Sequence, residues 1–447
     1  MLKVDFGTFG RIARDVWSSS RGYLTRIRDT ADEAESELKA LLSAPGEVAG
    51  IVLAQDILQR YQDAADEEKR RFLHGLAEDF AADAAEIIGA SQRYLDEPSA
   101  RHYRLLMQTS EPPRQEVLRR LNTAPGGTLA LVRMREDLLR FLGEGKSEPL
   151  AALDFDFNHL FSSWFNRGFL SVARIDWNSP AELLERIIRY EAVHDIADWD
   201  DLRQRVNAPD RACYAFFHPV LGEEPLIFVE IALTKTIPNS VQALLATGRE
   251  IIRPQEAKTA VFYSISNCQP GLKGISFGAF LIKQVLQELS QTYPNLTTWV
   301  TLSPVPGFTR WLAADDALEE TGEGGTGATS ARALYGNLEP LLAAPLEERS
   351  EALKTYDRDL ETLALRYFTG AKNRSGAPFD PVARFHLTNG AKLRYIHPRA
   401  DLSDKGLKES LGLMVNYQYE PKKMLEHHEA YATEQRVVLA RELAKRL

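Results

Sequence analysis

The chain has 447 residues, of which 44% are hydrophobic and 26% are charged, and its formal net charge is −9 at pH 7. This length predicts two or three domains, and the negative charge argues against nucleic acid or anionic membrane surfaces as partners. No apolar run approaches the roughly 20 residues that a helix needs to cross a bilayer, so we expect a soluble protein.

The cellular compartment is predicted from the cysteines and the N-terminal segment. Cys213 and Cys268 are the only cysteines of the sequence, and the lack of a secretory apolar segment indicates a reducing compartment. Basic residues and a serine run in the first thirty residues resemble an organelle transit peptide, but the aspartates among them favour an ordinary amphipathic helix. We therefore expect a cytoplasmic protein.

The first third of the chain has helical periodicity. Leu131, Met134 and Leu138 recur on one helical face, and charged residues fill the other positions. Proline and glycine interrupt the pattern at residues 45–46, 112–113 and 125–127, which predicts several helices joined by short turns. Residues 1–155 are thus predicted to form a helical bundle.

The pattern of apolar residues changes after residue 155. Strand-like runs at Leu226–Leu233, Ala260–Ser266 and Thr298–Leu302 alternate with helical segments, which indicates an α/β domain over residues 156–447. A glycine-rich loop at Thr321–Ser330 belongs to a predicted helical insertion at about residues 315–370.

A turn with several glycines follows the second of these strand-like runs and leads into a helix. Such a turn can serve the backbone alone, or it can hold phosphate, because the N–H groups at a helix start and their dipole attract anions. The turn resembles the pyrophosphate loop of the GNAT acyltransferase superfamily, and this resemblance implies a coenzyme A (CoA) site. The residues predicted to bind CoA are Gly271, Lys273, Gly274, Ile275, Ser276 and Gly278, with Ser264 on the preceding strand.

A Ser-Pro pair follows the next strand. On local grounds Ser303 and Pro304 are typical of a helix start, with serine as the N-cap and proline in the first turn. The sequence around the pair offers no independent reason to assign the serine a catalytic role.

Five stretches of the C-terminal half together resemble the malonyl-CoA decarboxylase family: Phe262–Ser266, Gly278–Lys283, Leu302–Leu312, Phe385–Ala391 and Gly412–Tyr419. The resemblance implies a GNAT-fold catalytic domain after a helical domain used in self-association, as a homodimer or homotetramer. It also implies malonyl-CoA as the substrate and a site of Ser303, His386 and Tyr419. Ser276 stands where family members can carry a functional glutamate.

Decarboxylation of a malonyl thioester leaves an enolate, which has to be stabilised and then protonated on carbon. Neither task needs a metal, and we expect no cofactor. His427 and His428 are adjacent and do not share a helix face as metal ligands at i and i+4 would. Two alternatives stay open: an acyl-CoA N-acyltransferase, since fold does not dictate reaction, and a non-catalytic CoA-sensing adaptor in which Ser303 only caps a helix.

Overall fold

The computed structural model describes residues 33–165, 167–275, 280–314, 336–340, 344–372 and 378–446. The chain separates into two compact units. The first comprises the described residues up to Leu170, His218–Gly222 and the turn that begins at Gln269, and the second comprises the others. The predictions for the first thirty residues and for the glycine-rich loop concern residues outside these ranges.

The first unit is built from helices along its length. In chain order these are α1 (Glu33–Ser43), α2 (Glu47–Asp63), α3 (Asp66–Glu78), α4 (Ala84–Asp96), α5 (Ala100–Ser110), α6 (Pro113–Asn122), α7 (Gly127–Glu144) and α8 (Glu148–Trp164).

The predicted interruptions separate helices, as expected. Helix α6 begins with Pro113 in its first turn, where the missing N–H costs no hydrogen bond. Helix α7 follows Gly126, whose φ of 74° lies in the left-handed region that favours glycine. The predicted apolar stripe of α7 is fully buried, at 0% exposure for Leu131, Met134 and Leu138.

The second unit contains a mixed sheet, which confirms the expected fold class of a helical region followed by an α/β domain. Its described strands are β1 (Ser171–Ile175), β2 (Arg211–Phe217), β3 (Pro225–Thr234), β4 (Thr259–Asn267), β5 (Thr298–Thr301), β6 (Ser303–Pro304), β7 (Lys392–His397) and β8 (Met414–Tyr419). The order is β1-β2-β3-β4-β5-β8-β6, with β7 also paired to β8. The pair β4–β5 is parallel and the other pairs are antiparallel.

Helices connect these strands, and two of them lie in the predicted helical insertion. They are α9 (Ala181–Tyr190), α10 (Trp199–Val206), α11 (Val241–Leu245), α12 (Phe280–Thr292), α13 (Phe308–Ala313), α14 (Leu346–Lys354), α15 (Asp357–Gly370), α16 (Pro381–Thr388), α17 (Asp404–Ser410), α18 (Met424–Glu434) and α19 (Arg441–Ala444). No helix in the described ranges is both long enough and apolar enough to span a membrane.

The parallel strands β4 and β5 part near their carboxyl ends. Their ladder ends with Phe262 opposite Thr301, and one further bond joins the Leu302 N–H to the Phe262 carbonyl at 2.9 Å. Strand β4 continues to Asn267, whereas the chain after β5 pairs with β8 instead. The sheet therefore opens at the point where β6 begins.

Candidate active site

Ser303 lies at this opening, as the first residue of β6. Its partner in the antiparallel ladder is Val415 of β8, and 5% of Ser303 is exposed. The helix that follows begins at Phe308 with Gly307 as its N-cap. The interpretation of Ser303 as a helix N-cap is therefore wrong, because pairing with β8 holds this segment as a strand and delays the helix.

His386 reaches Ser303 from helix α16. The helix begins where the sequence supplies a capping carboxylate: Asp380 accepts a hydrogen bond from the Ala383 N–H at 2.7 Å. The imidazole is 2% exposed, and its Nε2 lies 3.1 Å from the Ser303 Oγ. The fold thus brings together two side chains that are 83 residues apart in the sequence.

Tyr419, at the end of β8, touches the other side of the same imidazole. Its hydroxyl lies 2.7 Å from the Nδ1 of His386, and the residue is 1% exposed. Burial lowers the pKa of His386 to about 3 and raises the pKa of Tyr419 well above its ordinary value. Ser303, His386 and Tyr419 therefore form a neutral, water-poor chain of hydrogen bonds at pH 7, which we call the Ser-His-Tyr chain.

Three residues that the sequence analysis did not single out support this chain. The Thr301 Oγ1 accepts the Ser303 hydroxyl at 2.8 Å, and the Tyr417 ring stacks on the imidazole of His386 with 4.6 Å between centroids. The amide of Asn416 donates to the Thr301 carbonyl at 2.6 Å. Thr301 and Tyr417 each stand two positions from a predicted site residue. Side chains two positions apart on a strand lie on the same face, so this spacing could have identified both residues.

A second set of contacts joins the helix of His386 to the turn after Ser303. The Tyr367 hydroxyl lies 3.3 Å from both the carboxylate of Asp380 and the Pro306 carbonyl. Burial raises the pKa of Asp380 to about 7, although its hydrogen bonds oppose the change. Tyr367 belongs to the helical insertion, so no local pattern could have linked it to the site.

The glycine turn, residues 269–275, lies in the first unit. A Cβ on Gly271 would stand 1.9 Å from the Val132 carbonyl oxygen, so this position has room only for glycine. The buried guanidinium of Arg135 donates to the carbonyls of Gly271 and Lys273 at 2.8 and 2.9 Å and pairs with Asp154.

The other predicted CoA-binding residues differ from one another in their exposure to solvent. In the turn, Lys273 and Gly274 are exposed and Ile275 is 7% exposed. Ser264 is buried, and its hydroxyl lies 2.8 Å from both carboxylate oxygens of Glu191, so only its backbone is available to a ligand. Ser276 and Gly278 lie outside the described residues.

The two adjacent histidines near the C-terminus contact the backbone at the end of helix α16 and just after it. The Nδ1 of His427 lies 3.3 Å from the Gly390 carbonyl, and that of His428 lies 2.7 Å from the Thr388 carbonyl. In the part of the chain that the structure describes, no group of three or more His, Cys, Asp or Glu side chains is arranged to hold a metal ion.

Family models match both parts of the chain. Residues 80–165 match the malonyl-CoA decarboxylase N-terminal domain, and residues 168–447 match the malonyl-CoA decarboxylase C-terminal domain.

Whole proteins with similar sequences or structures carry the same name. The mitochondrial malonyl-CoA decarboxylase of Mus musculus is 33% identical over 408 residues, which cover 86% of this chain and 82% of that protein. The crystal structure of malonyl-CoA decarboxylase from Rhodopseudomonas palustris is 46% identical, covers 93% of this chain and 99% of its own, and superposes with a TM-score of 0.84. The corresponding structure from Agrobacterium vitis is 44% identical, with the same coverage and a TM-score of 0.82.

Proposed function

The chain belongs to the malonyl-CoA decarboxylase family, and we propose that it converts malonyl-CoA to acetyl-CoA and CO2. The observation that carries the proposal is the buried Ser-His-Tyr chain beside the opening between β4 and β5. No described strand pairs with this edge of β4 beyond Phe262, and an extended ligand is proposed to bind there as at other sheet edges. A pantetheine lying there would bring its thioester toward Ser303.

The reaction consists of one bond cleavage and one protonation. The bond between the α-carbon and the carboxylate breaks, and its electron pair forms the enolate of the acetyl thioester as CO2 leaves. The α-carbon then takes up one proton, so that malonyl-CoA and a proton give acetyl-CoA and CO2. Because the thioester carbonyl accepts the electron pair, we propose that the enzyme works without a metal or other cofactor.

The buried site favours both steps. A desolvated carboxylate loses its charge when CO2 leaves, and hydrogen-bond donors aimed at the enolate oxygen contribute roughly 3 to 4 kcal/mol each in such a site. Ser303 and His386 deliver the proton, and a positioned acid contributes about 10²- to 10⁴-fold in rate. Tyr419 holds the imidazole from its far side.

We propose that the glycine turn binds the CoA diphosphate. Among the described residues, the N–H groups of Leu272, Lys273 and Ile275 donate within the turn itself. We propose that the Gly274 N–H and the cation of Lys273 face the phosphate. Ser276 and Gly278 stay in the predicted CoA-binding set.

Two broader predictions belong to the same proposal: a cytoplasmic location and self-association through the helical unit as a homodimer or homotetramer. Light scattering of the purified protein measures the oligomer, and a monomer would contradict the prediction. Cell fractionation measures the location, and recovery with an organelle would contradict it.

Mass detection of acetyl-CoA formed from malonyl-CoA by the purified protein, with a metal chelator present, tests the activity. We expect turnover in the wild type, and Ser303→Ala and His386→Asn should each lower kcat by about 10²-fold or more. The exposed residues Ser290 and His159 provide matched controls as Ser290→Ala and His159→Asn, which should keep wild-type rates. Turnover that required an amine acceptor would favour an acyltransferase instead, and binding without turnover would favour a CoA-sensing adaptor.

A further inference from the structure

The direction of the hydrogen bond from Ser303 to Thr301 points to a donor for each of the neighbouring pairs. A serine hydroxyl has one hydrogen, and here it points to the Thr301 Oγ1 at 2.8 Å. The Ser303 oxygen can therefore only accept from the Nε2 of His386, 3.1 Å away. A neutral imidazole carries one hydrogen, so its Nδ1 accepts from the Tyr419 hydroxyl at 2.7 Å.

Thr301 is itself held firmly in this role. It is 0% exposed, and its Oγ1 also accepts the backbone N–H of Tyr417 at 3.0 Å. Its carbonyl receives the Asn416 amide at 2.6 Å, and the oxygen of that amide lies 2.5 Å from the Nε2 of His397. Strand β8 thus fixes Thr301 from its side chain and from its backbone.

We propose that Thr301 is a positioning residue that sets the direction of the Ser-His-Tyr chain. By taking the Ser303 hydrogen, it obliges His386 to present Nε2–H toward Ser303 and to accept from Tyr419. Every hydrogen bond of the chain then has the same direction: Tyr419 donates to His386, His386 donates to Ser303, and Ser303 donates to Thr301. The catalytic role of Thr301 rests on the proposed function, and the inference makes that function more specific.

The direction determines which chemistry the Ser-His pair performs. In nucleophilic catalysis the serine donates its hydrogen to the imidazole, which acts as a base. Here the imidazole donates to the serine, which suits delivery of a proton toward bound substrate. When the Ser303 hydroxyl turns from Thr301 to the enolate and gives its hydrogen to the α-carbon, the Nε2 hydrogen replaces it on the serine oxygen, and the Tyr419 hydrogen moves to Nδ1 so that the ring stays neutral. One proton from solvent then returns to Nε2 as Nδ1 gives its hydrogen back to the Tyr419 phenolate, which restores the chain. No acyl bond to Ser303 forms in this scheme.

The test is the position of the His386 hydrogen, measured on the whole protein. The sequence has nine histidines, and two-bond ¹H–¹⁵N spectra of protein labelled at histidine distinguish Nε2–H from Nδ1–H, with His386→Asn identifying the signal. We expect Nε2–H in the wild type. Nδ1–H in the wild type would overturn the proposal without recourse to any Thr301 variant.

Two Thr301 variants separate positioning from packing. Thr301→Val keeps the shape but removes the acceptor, so Ser303 should donate to His386 and move the imidazole hydrogen to Nδ1. We expect kcat to fall by about tenfold or more, with KM for malonyl-CoA changed less than about twofold. Thr301→Ser retains the acceptor and should keep Nε2–H and most of kcat. An unchanged spectrum and kcat in folded Thr301→Val would refute the proposal.

The same measurements show whether the proposed role of Thr301 or the proposed decarboxylase activity has failed. A wild-type protein that carried Nε2–H but released no CO2 from malonyl-CoA would refute the decarboxylase activity and support the hydrogen-bond role of Thr301. Active protein that became covalently acylated at Ser303 during turnover would overturn the direction proposed here, since that reaction needs serine as the donor to histidine. Mass spectrometry of protein quenched during turnover detects such an adduct.

Discussion

The buried carboxyl of Asp380 is expected to make the stability of the protein depend on pH. Asp380 is 2% exposed at the start of the helix that carries His386, and burial raises its pKa from 3.8 to about 7. Below about pH 3 the carboxyl is protonated in the folded and unfolded chains alike, so its contribution to stability is fully present. As the pH rises from about 4 to about 7, the unfolded chain loses this proton while the folded chain keeps it, and stability falls by roughly 4 kcal/mol.

Asp380→Asn removes this titration while retaining a side chain that caps the helix. Relative to the wild type, the variant should gain stability progressively between about pH 4 and pH 7, and the difference should then level off. The groups that face this carboxyl are Tyr367 and Tyr417, which stay neutral in this range, and the cation of Arg384.

Denaturant unfolding of both proteins at a series of pH values measures the difference directly, because titrations elsewhere in the chain cancel between them. Asp359→Asn removes the same kind of charge at an exposed position of helix α15 and serves as the matched control. A constant difference for Asp380→Asn across this range would refute the reasoning.

Two further predictions concern catalysis and substrate binding. Tyr419→Phe leaves the buried Nδ1 of His386 without its hydrogen-bond partner, at a cost of about 1 to 3 kcal/mol. The kcat should therefore fall by roughly 5- to 150-fold in steady-state assays, and a wild-type kcat would exclude this role. Arg135→Gln loses two charge-assisted bonds to the glycine turn, so KM for malonyl-CoA should rise about tenfold with kcat nearly unchanged. The exposed Arg133→Gln on the same helix is its control, and equal KM values for the two variants would contradict the prediction.

The local elements were predictable because their causes are local. The apolar stripe of Leu131, Met134 and Leu138 and the breaks at proline and glycine identified helices of the first unit, and the apolar runs around Val229 and Val261 identified strands of the sheet. These patterns arise from backbone geometry and from the burial of one face, which neighbouring residues determine. The local interpretation of Ser303 failed because a strand far along the chain pairs with it.

The sequence by itself determined which chemical groups are present and, through its resemblance to a family, which serine, histidine and tyrosine to consider together. Only the tertiary structure decided that Thr301 takes the serine hydrogen, that Tyr417 stacks on the imidazole and that Tyr367 joins the turn after Ser303 to the helix of His386. Hydrogen-bond direction and burial depend on atoms supplied by strands and helices distant in the chain. The sequence pattern does not encode the distances between these atoms. These distances and the burial of the site set its protonation.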